Sequence, residues 1–194
     1  MRQTGETEMD SYLELVSQGK EAFVEAAFSI GWFEYSSLTY ENVSERLTKM
    51  DDEKFFVFSL SEAAFDAEGF ESEESYQSVL AELLRLTEYM KDAELKCEFD
   101  DETRSIGISI QGKQKQYCYS VDTDENGDWF DENVIESFLN KTVLPGEGLD
   151  LRFFVLPPCD QTANLVFVPE AMYEEAVERG LIPGEMGYFM EDLV

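Results

Sequence analysis

Hydrophobic positions change their spacing along the chain, and each change marks a different kind of element. Tyr12, Leu13, Val16, Phe23, Val24, Ala27 and Phe28 recur mostly at three- and four-residue intervals, the period of an amphipathic helix. Ser11-Tyr12-Leu13-Glu14 reads as its capping box, Gly19 as a weak point that does not end it, and Gly31 as its close. A second helix is predicted over about residues 40–50, with Val43, Leu47 and Met50 on one side. Residues 54–60 are apolar almost throughout and read as a strand buried on both faces. Residues 61–71 read as a polar loop holding Phe65 and Phe70. A third helix, about 72–91, has Glu73 and Glu74 at the positive end of its dipole and Lys91 at the negative end. Its apolar stripe includes Tyr76, Leu80, Leu83, Leu84 and Met90.

Beyond Lys91 the period becomes two. Residues 95–99, 105–110 and 115–121 alternate, and turn-forming tetrads, Asp100-Asp101-Glu102-Thr103 and Gln111-Gly112-Lys113-Gln114, separate them. That is the pattern of an antiparallel meander. A helix capped near Asp131 runs to about Lys141, strands follow at 151–156 and 165–168, and Pro169 opens a last helix that Gly180 closes. The expected fold is α+β, with N-terminal helices and a mostly antiparallel sheet of about five to six strands with helices packed on it. A single domain over 1–194 is expected, helical over about 1–92 and sheet-based over about 93–194, without repeats or linkers.

Charge changes this picture most. The chain has 194 residues with 43 acids, 14 bases and no histidine, for a formal net charge of −29. The field has the wrong sign for a protein that neutralises nucleic-acid phosphates, and the lack of histidine excludes imidazole catalysis and ligation. A membrane partner is not expected: the field would repel an anionic surface, and no apolar run approaches the ~20 residues of a spanning helix. The start of the chain has no apolar run after Arg2, so no secretory signal is read there. Cys97, Cys118 and Cys159 are far apart and odd in number, which suits reduced thiols in the cytoplasm, with Cys97 and Cys118 as small buried side chains on strands.

The densest acidic segment, Asp122-Thr123-Asp124-Glu125-Asn126-Gly127-Asp128, opens like a calcium-binding EF-hand loop. The twelfth position is Asn133 where a bidentate Glu is needed, and the segment before the loop looks like a strand. It is therefore read as an acidic strand-to-helix loop turned at Asn126-Gly127, and neither a metal nor another cofactor is expected. Carboxylate pairs such as Asp51-Asp52 and Glu174-Glu175 are too common in this chain to mark a catalytic acid and base. Nucleophile-elbow, Walker and dinucleotide-binding motifs are absent from the sequence, and no catalytic residues are assigned. Aromatics are mixed with acids at Trp32-Phe33-Glu34-Tyr35 and Trp129-Phe130; Phe33 and Phe130 are read as core, whereas Trp32, Tyr35 and Trp129 suggest apolar anchors for a cationic protein. The candidate partner-binding residues are Asp122, Asp124, Glu125, Asp128, Trp129, Trp32 and Tyr35.

Residues 117–183 combine a strand, the acidic loop, Trp129-Phe130-Asp131 opening a helix, Phe138-Leu139-Asn140, Arg152-Phe153-Phe154-Val155-Leu156, Val166-Phe167-Val168 and a helix ending in Arg179-Gly180-Leu181-Ile182-Pro183. In this texture the chain resembles the small acidic immunity proteins of bacterial polymorphic toxins. The resemblance implies a cytoplasmic inhibitor that binds a cognate toxin, often a basic nuclease, and has no catalytic residues of its own. The other readings are an adaptor or structural domain whose acidity serves solubility alone, and a DNA mimic. One contiguous acidic face beside Trp32 or Trp129 favours binding, whereas an even coating of acids favours solubility.

Overall fold

The structure, a computed structural model, describes residues 4–157 and 160–184, so the expectation for Cys159 lies outside the described residues. The first elements are helices α1 (Thr4–Ser17), α2 (Lys20–Ser29) and α3 (Tyr40–Thr48), a 3-10 segment (Glu53–Leu60), strand β1 (Ala63–Asp66) and helix α4 (Glu73–Leu86). Strands β2 (Glu94–Asp100), β3 (Ser105–Gln111) and β4 (Gln116–Asp122) follow, then the short helix α5 (Thr123–Asn126). A π-helical segment (Val134–Val143) runs into a helical turn, α6 (Leu144–Gly146), ahead of strands β5 (Arg152–Val155) and β6 (Thr162–Val168) and helix α7 (Glu170–Glu178).

The fold is α+β, but the strands divide between two three-stranded antiparallel sheets, β1-β6-β5 and β2-β3-β4, where a single sheet was expected. The chain forms two compact units, Met1–Ala64 with Phe154–Val194, and Phe65–Phe153. It passes from one to the other within β1 and again within β5.

In the first unit, Tyr12, Val16, Phe23, Val24, Val43, Leu47, Phe56 and Leu60 pack with Leu156, Val166, Val168 and Ala176 in one core. Three sequence expectations need correction here. Gly19, at φ +94° and ψ 175°, divides the first helical stretch into α1 and α2, because backbone in that glycine-favoured conformation cannot continue a right-handed helix. Ser11 lies inside α1, and the capping box of this region is instead Thr39 with Asn42 at the start of α3. The apolar stretch 54–60 is a 3-10 segment, not a strand. Side chains supply partners for its backbone: Asp52 accepts from Lys54 N (3.0 Å), and the Tyr12 hydroxyl donates to Lys54 O (2.8 Å) and accepts from Val57 N (3.1 Å). At its end Arg46 donates to the carbonyls of Ser59 and Ser61. Strand β1 then occupies part of the predicted loop, and Glu62 ties Ser37 N and Phe167 N together through its two carboxylate oxygens.

The second unit is built on the meander. Ile106, Ile108 and Ile110 of β3 point inward, opposite Phe99, Cys97 and Leu95 of β2 and Val121, Tyr119 and Tyr117 of β4. Helix α4 packs on β2 and the π-helical segment on β4. Gln77 of α4 reaches the outer edge of β2, donating to Leu95 O (3.0 Å) and accepting from Cys97 N (2.9 Å). Phe65, Phe70, Tyr76 and Phe130 meet ring to ring, with centroids 5.0 to 5.7 Å apart. Asn140 bonds both backbone groups of Phe153, accepting from its N–H and donating to its carbonyl. The opposite face of the meander carries Ser105, Gly107, Ser109, Cys118 and Ser120, of which Gly107, Cys118 and Ser120 are exposed. Cys118 is exposed there, which corrects its expected burial, while the half-buried Cys97 thiol is pushed up to about 11 by burial and the Glu73 charge.

Candidate functional site

Two acidic segments about twenty residues apart in sequence converge at one end of the second unit. The β2–β3 turn contributes Asp100, Asp101 and Glu102, and the segment after β4 contributes Asp122, Asp124, Glu125 and Asp128. The register explains the meeting, since Asp100 and Asp122 both pair with Ser105, one on each side of it. Arg104 then stitches the segments together. Its carbonyl accepts from Thr123 N (3.1 Å) and Thr123 Oγ1 (2.7 Å), and its guanidinium pairs with Asp124 (Nε to Oδ1, 2.7 Å). Arg104 holds φ +50° to do so.

Each segment is also fixed internally. Asp122 caps α5 by accepting from Asp124 N (2.9 Å) and Glu125 N (3.2 Å). Asp100 accepts from Glu102 N (2.9 Å) and Thr103 N (3.3 Å), and these donors hold its carboxyl below the usual range. Gly127, at φ +62°, ends α5. The expected strand-to-helix loop is therefore present, entered from a strand. Among the described residues no group of three or more His, Cys, Asp or Glu side chains is placed to hold a metal ion.

Trp129 follows at once, 47% exposed. Its backbone is held against residues 67–70 by an antiparallel bridge to Glu68, by Phe130 N to Ala67 O (2.8 Å) and by Phe70 N to Asp128 O (2.8 Å). Phe99, 37% exposed, lines a hollow of about 410 Å³ with Glu71, Arg104, Thr123, Gly127 and Asp128. Arg104 is the one base among the described residues that line this hollow and the larger one beside it. The result is a surface with exposed aromatic rings, a rigid backbone and a strongly negative field.

The structure thus brings together Asp122, Asp124, Glu125, Asp128 and Trp129. Trp32 and Tyr35 belong to the other unit. Trp32 is a correction: it is completely buried in that unit's core and cannot present a surface anchor. Gly31, at φ +77°, turns the chain into the 3-10 turn Trp32–Glu34, which sends the indole inward and leaves Tyr35 exposed. Two exposed aromatics escaped the sequence reading. Phe99 ends an alternating strand, and alternation alone does not show that cover on its face stops there. Phe28, 62% exposed, sits edge-on to Tyr40, whose hydroxyl donates to Glu25 (2.9 Å); the apolar stripe of α2 was read one residue too wide.

The buried carboxylates of this unit serve the fold. Asp131 accepts from the Tyr119 hydroxyl (2.9 Å) and from the backbone and side-chain nitrogens of Asn133, while its own N–H donates to the Tyr76 hydroxyl (3.0 Å). Compared with known protein families, curated proteins and solved structures, the chain shows no match.

Proposed function

We propose that this protein binds and neutralises a basic protein partner, acting as an immunity or inhibitor protein acts on a toxin such as a nuclease, through the acidic end of its second unit. The observation that carries the reading is the convergence of seven carboxylates from two segments beside the exposed rings of Trp129 and Phe99. An even acidic coating would serve solubility equally well, but it would not need Arg104 and the α5 cap to hold those charges together. Charge of this density steers a cationic protein into contact, and partly exposed rings give apolar area to bury once contact is made.

The test uses the full chain as bait in its host, beside a variant carrying Asp122→Asn, Asp124→Asn, Glu125→Gln and Asp128→Asn. The expected result is a partner of high isoelectric point that the variant retains poorly. Its association rate falls steeply as salt shortens the Debye length to about 10 Å near 0.1 M. Expressed alone, the partner arrests growth, and co-expression of this chain relieves the arrest. Acidic or neutral partners with salt-independent kinetics would overturn the proposal.

A further inference from the structure

Gly107 sits in the middle of β3, where the backbone does not call for glycine. Its φ lies outside the left-handed region, and a Cβ there would meet only the Glu98 carbonyl oxygen, at an ordinary 3.7 Å. A glycine inside a strand weakens it, and it is often found where a ligand or another backbone comes close. Its neighbours on the open face are small as well: Ser105 and Ser109 along β3, and Ser120 opposite it on β4. Glu98 faces Gly107 from β2, while Asp100 and Asp122 flank Ser105. An open hollow of about 1160 Å³ results, with a floor of backbone and small side chains and carboxylates at its sides.

We propose that an extended basic segment of the protein partner lies across this hollow, with one lysine or arginine stem resting on Gly107 and its charge held by Asp100 and Asp122. The proposal rests on the reading of a cationic partner given above and adds where that partner's chain runs. The low floor suits the apolar stem of a long cationic side chain, and the carboxylates suit its head group. Glu98 already pairs with Lys96 (2.6 Å), so its share of the cation is smaller. Lys113 and Lys115, in the turn between β3 and β4, hold their ammonium groups over the rings of Tyr89 and Tyr117, and Tyr117 belongs to the covered face of the meander. Asp100 and Asp122, which flank Ser105, are therefore the carboxylates that take the bound charge.

The test is titration calorimetry of the full chain with a blocked eight-residue peptide of alternating arginine and serine at low salt. Gly107→Val changes no charge, fills the hollow and suits a strand better than glycine. Tm is therefore expected to rise while Kd weakens about tenfold. The four-acid variant is run in parallel. Weaker binding by both variants supports the proposal. An unchanged Kd for Gly107→Val beside a weakened four-acid variant overturns the trough and leaves the cationic-partner reading standing. No binding by the unaltered chain, or an unchanged Kd in both variants, overturns both. If Gly107→Val lowers Tm, Gly107→Ser replaces it, with a loss of about threefold expected and an unchanged Kd again decisive against the proposal.

Discussion

The Tyr117 hydroxyl donates to Glu147 Oε1 at 2.8 Å, and the same carboxylate accepts Lys113 N (2.9 Å) and Gln114 N (3.1 Å) from the turn between β3 and β4. Glu147 thus serves as the anion in a cradle formed by a hairpin turn and one tyrosine. Room for it comes from Gly112 and Gly146, where an added Cβ would collide with the Glu147 carboxylate and the Tyr117 ring respectively. Burial pushes the Glu147 pKa up, but Tyr117 and the turn N–H groups outweigh it and hold the carboxyl below its ordinary value of 4.5.

A depressed carboxyl pKa means that the unfolded chain takes up the proton first as pH falls, so the stability this group contributes is present above about pH 4.5 and lost below it. Glu147→Gln keeps one acceptor and removes the charge. Its destabilisation relative to the unaltered chain, roughly 1–3 kcal/mol at neutral pH, is expected to shrink as pH falls through that region. Urea titrations at several pH values check this; a pH-independent difference would count against the cradle.

At the alkaline end the sign reverses. Tyr76, Tyr117 and Tyr119 are each pushed up from 10.0 to about 12, chiefly by burial, with Glu147 adding to it for Tyr117 and Asp131 for Tyr119. Between those values the unfolded chain ionises before the folded one, so stability is expected to fall as pH rises from about 10 to about 12. Tyrosinate absorbance should lag behind that of a denatured control and catch up when the chain unfolds, and Tyr119→Phe should reduce the lag.

Where local signals agreed, the sequence was a good guide. All three strands of the meander lie within a residue or two of their expected limits, because alternation and polar turn tetrads point the same way. Residues 54–60 misled because a short apolar run has no period of its own. Buried Phe56, Val57 and Leu60 suit a strand covered on both faces and a tight helix equally, and the choice was made by distant groups, Tyr12 and Arg46. The acidic loop was legible as a loop, but its meeting with Asp100, Asp101 and Glu102 depends on strand register. Glu147 was invisible for the same reason, since its donors lie more than thirty residues earlier.

Arg104 is a base set among acids, and its removal separates two of its effects. Arg104→Gln leaves the acidic end more negative, so association with a cationic partner at low salt is expected to quicken severalfold. Loss of the guanidinium–Asp124 pair loosens α5, so dissociation quickens too. Stopped-flow kinetics over a salt series resolves the two, and slower association would contradict the steering role.

Gly180 and Gly19 both have positive φ, +72° and +94°, but differ in surroundings. A Cβ on Gly180 would run into the Ser11 carbonyl of α1, whereas none is obstructed at Gly19. Gly19→Ala is expected to cost about 2 kcal/mol from conformation alone, because φ +94° with ψ 175° is backbone that essentially only glycine adopts. Gly180→Ala is expected to cost about 3 kcal/mol, because strain and a backbone clash add. Thermal denaturation of the two variants measures the difference.

The chain has two tryptophans, and each unit holds one. Trp32 is sealed in the first, its indole N–H without a hydrogen-bond partner among the described residues, and Trp129 stands half in solvent on the second. Their light emission is separable: Trp32 should fluoresce at short wavelength and resist acrylamide, and Trp129 should emit to the red and be quenched. Trp129→Phe leaves a chain whose glow follows the melting of the first unit alone. Trp32→Phe leaves one whose glow answers to whatever settles on the acidic end of the second.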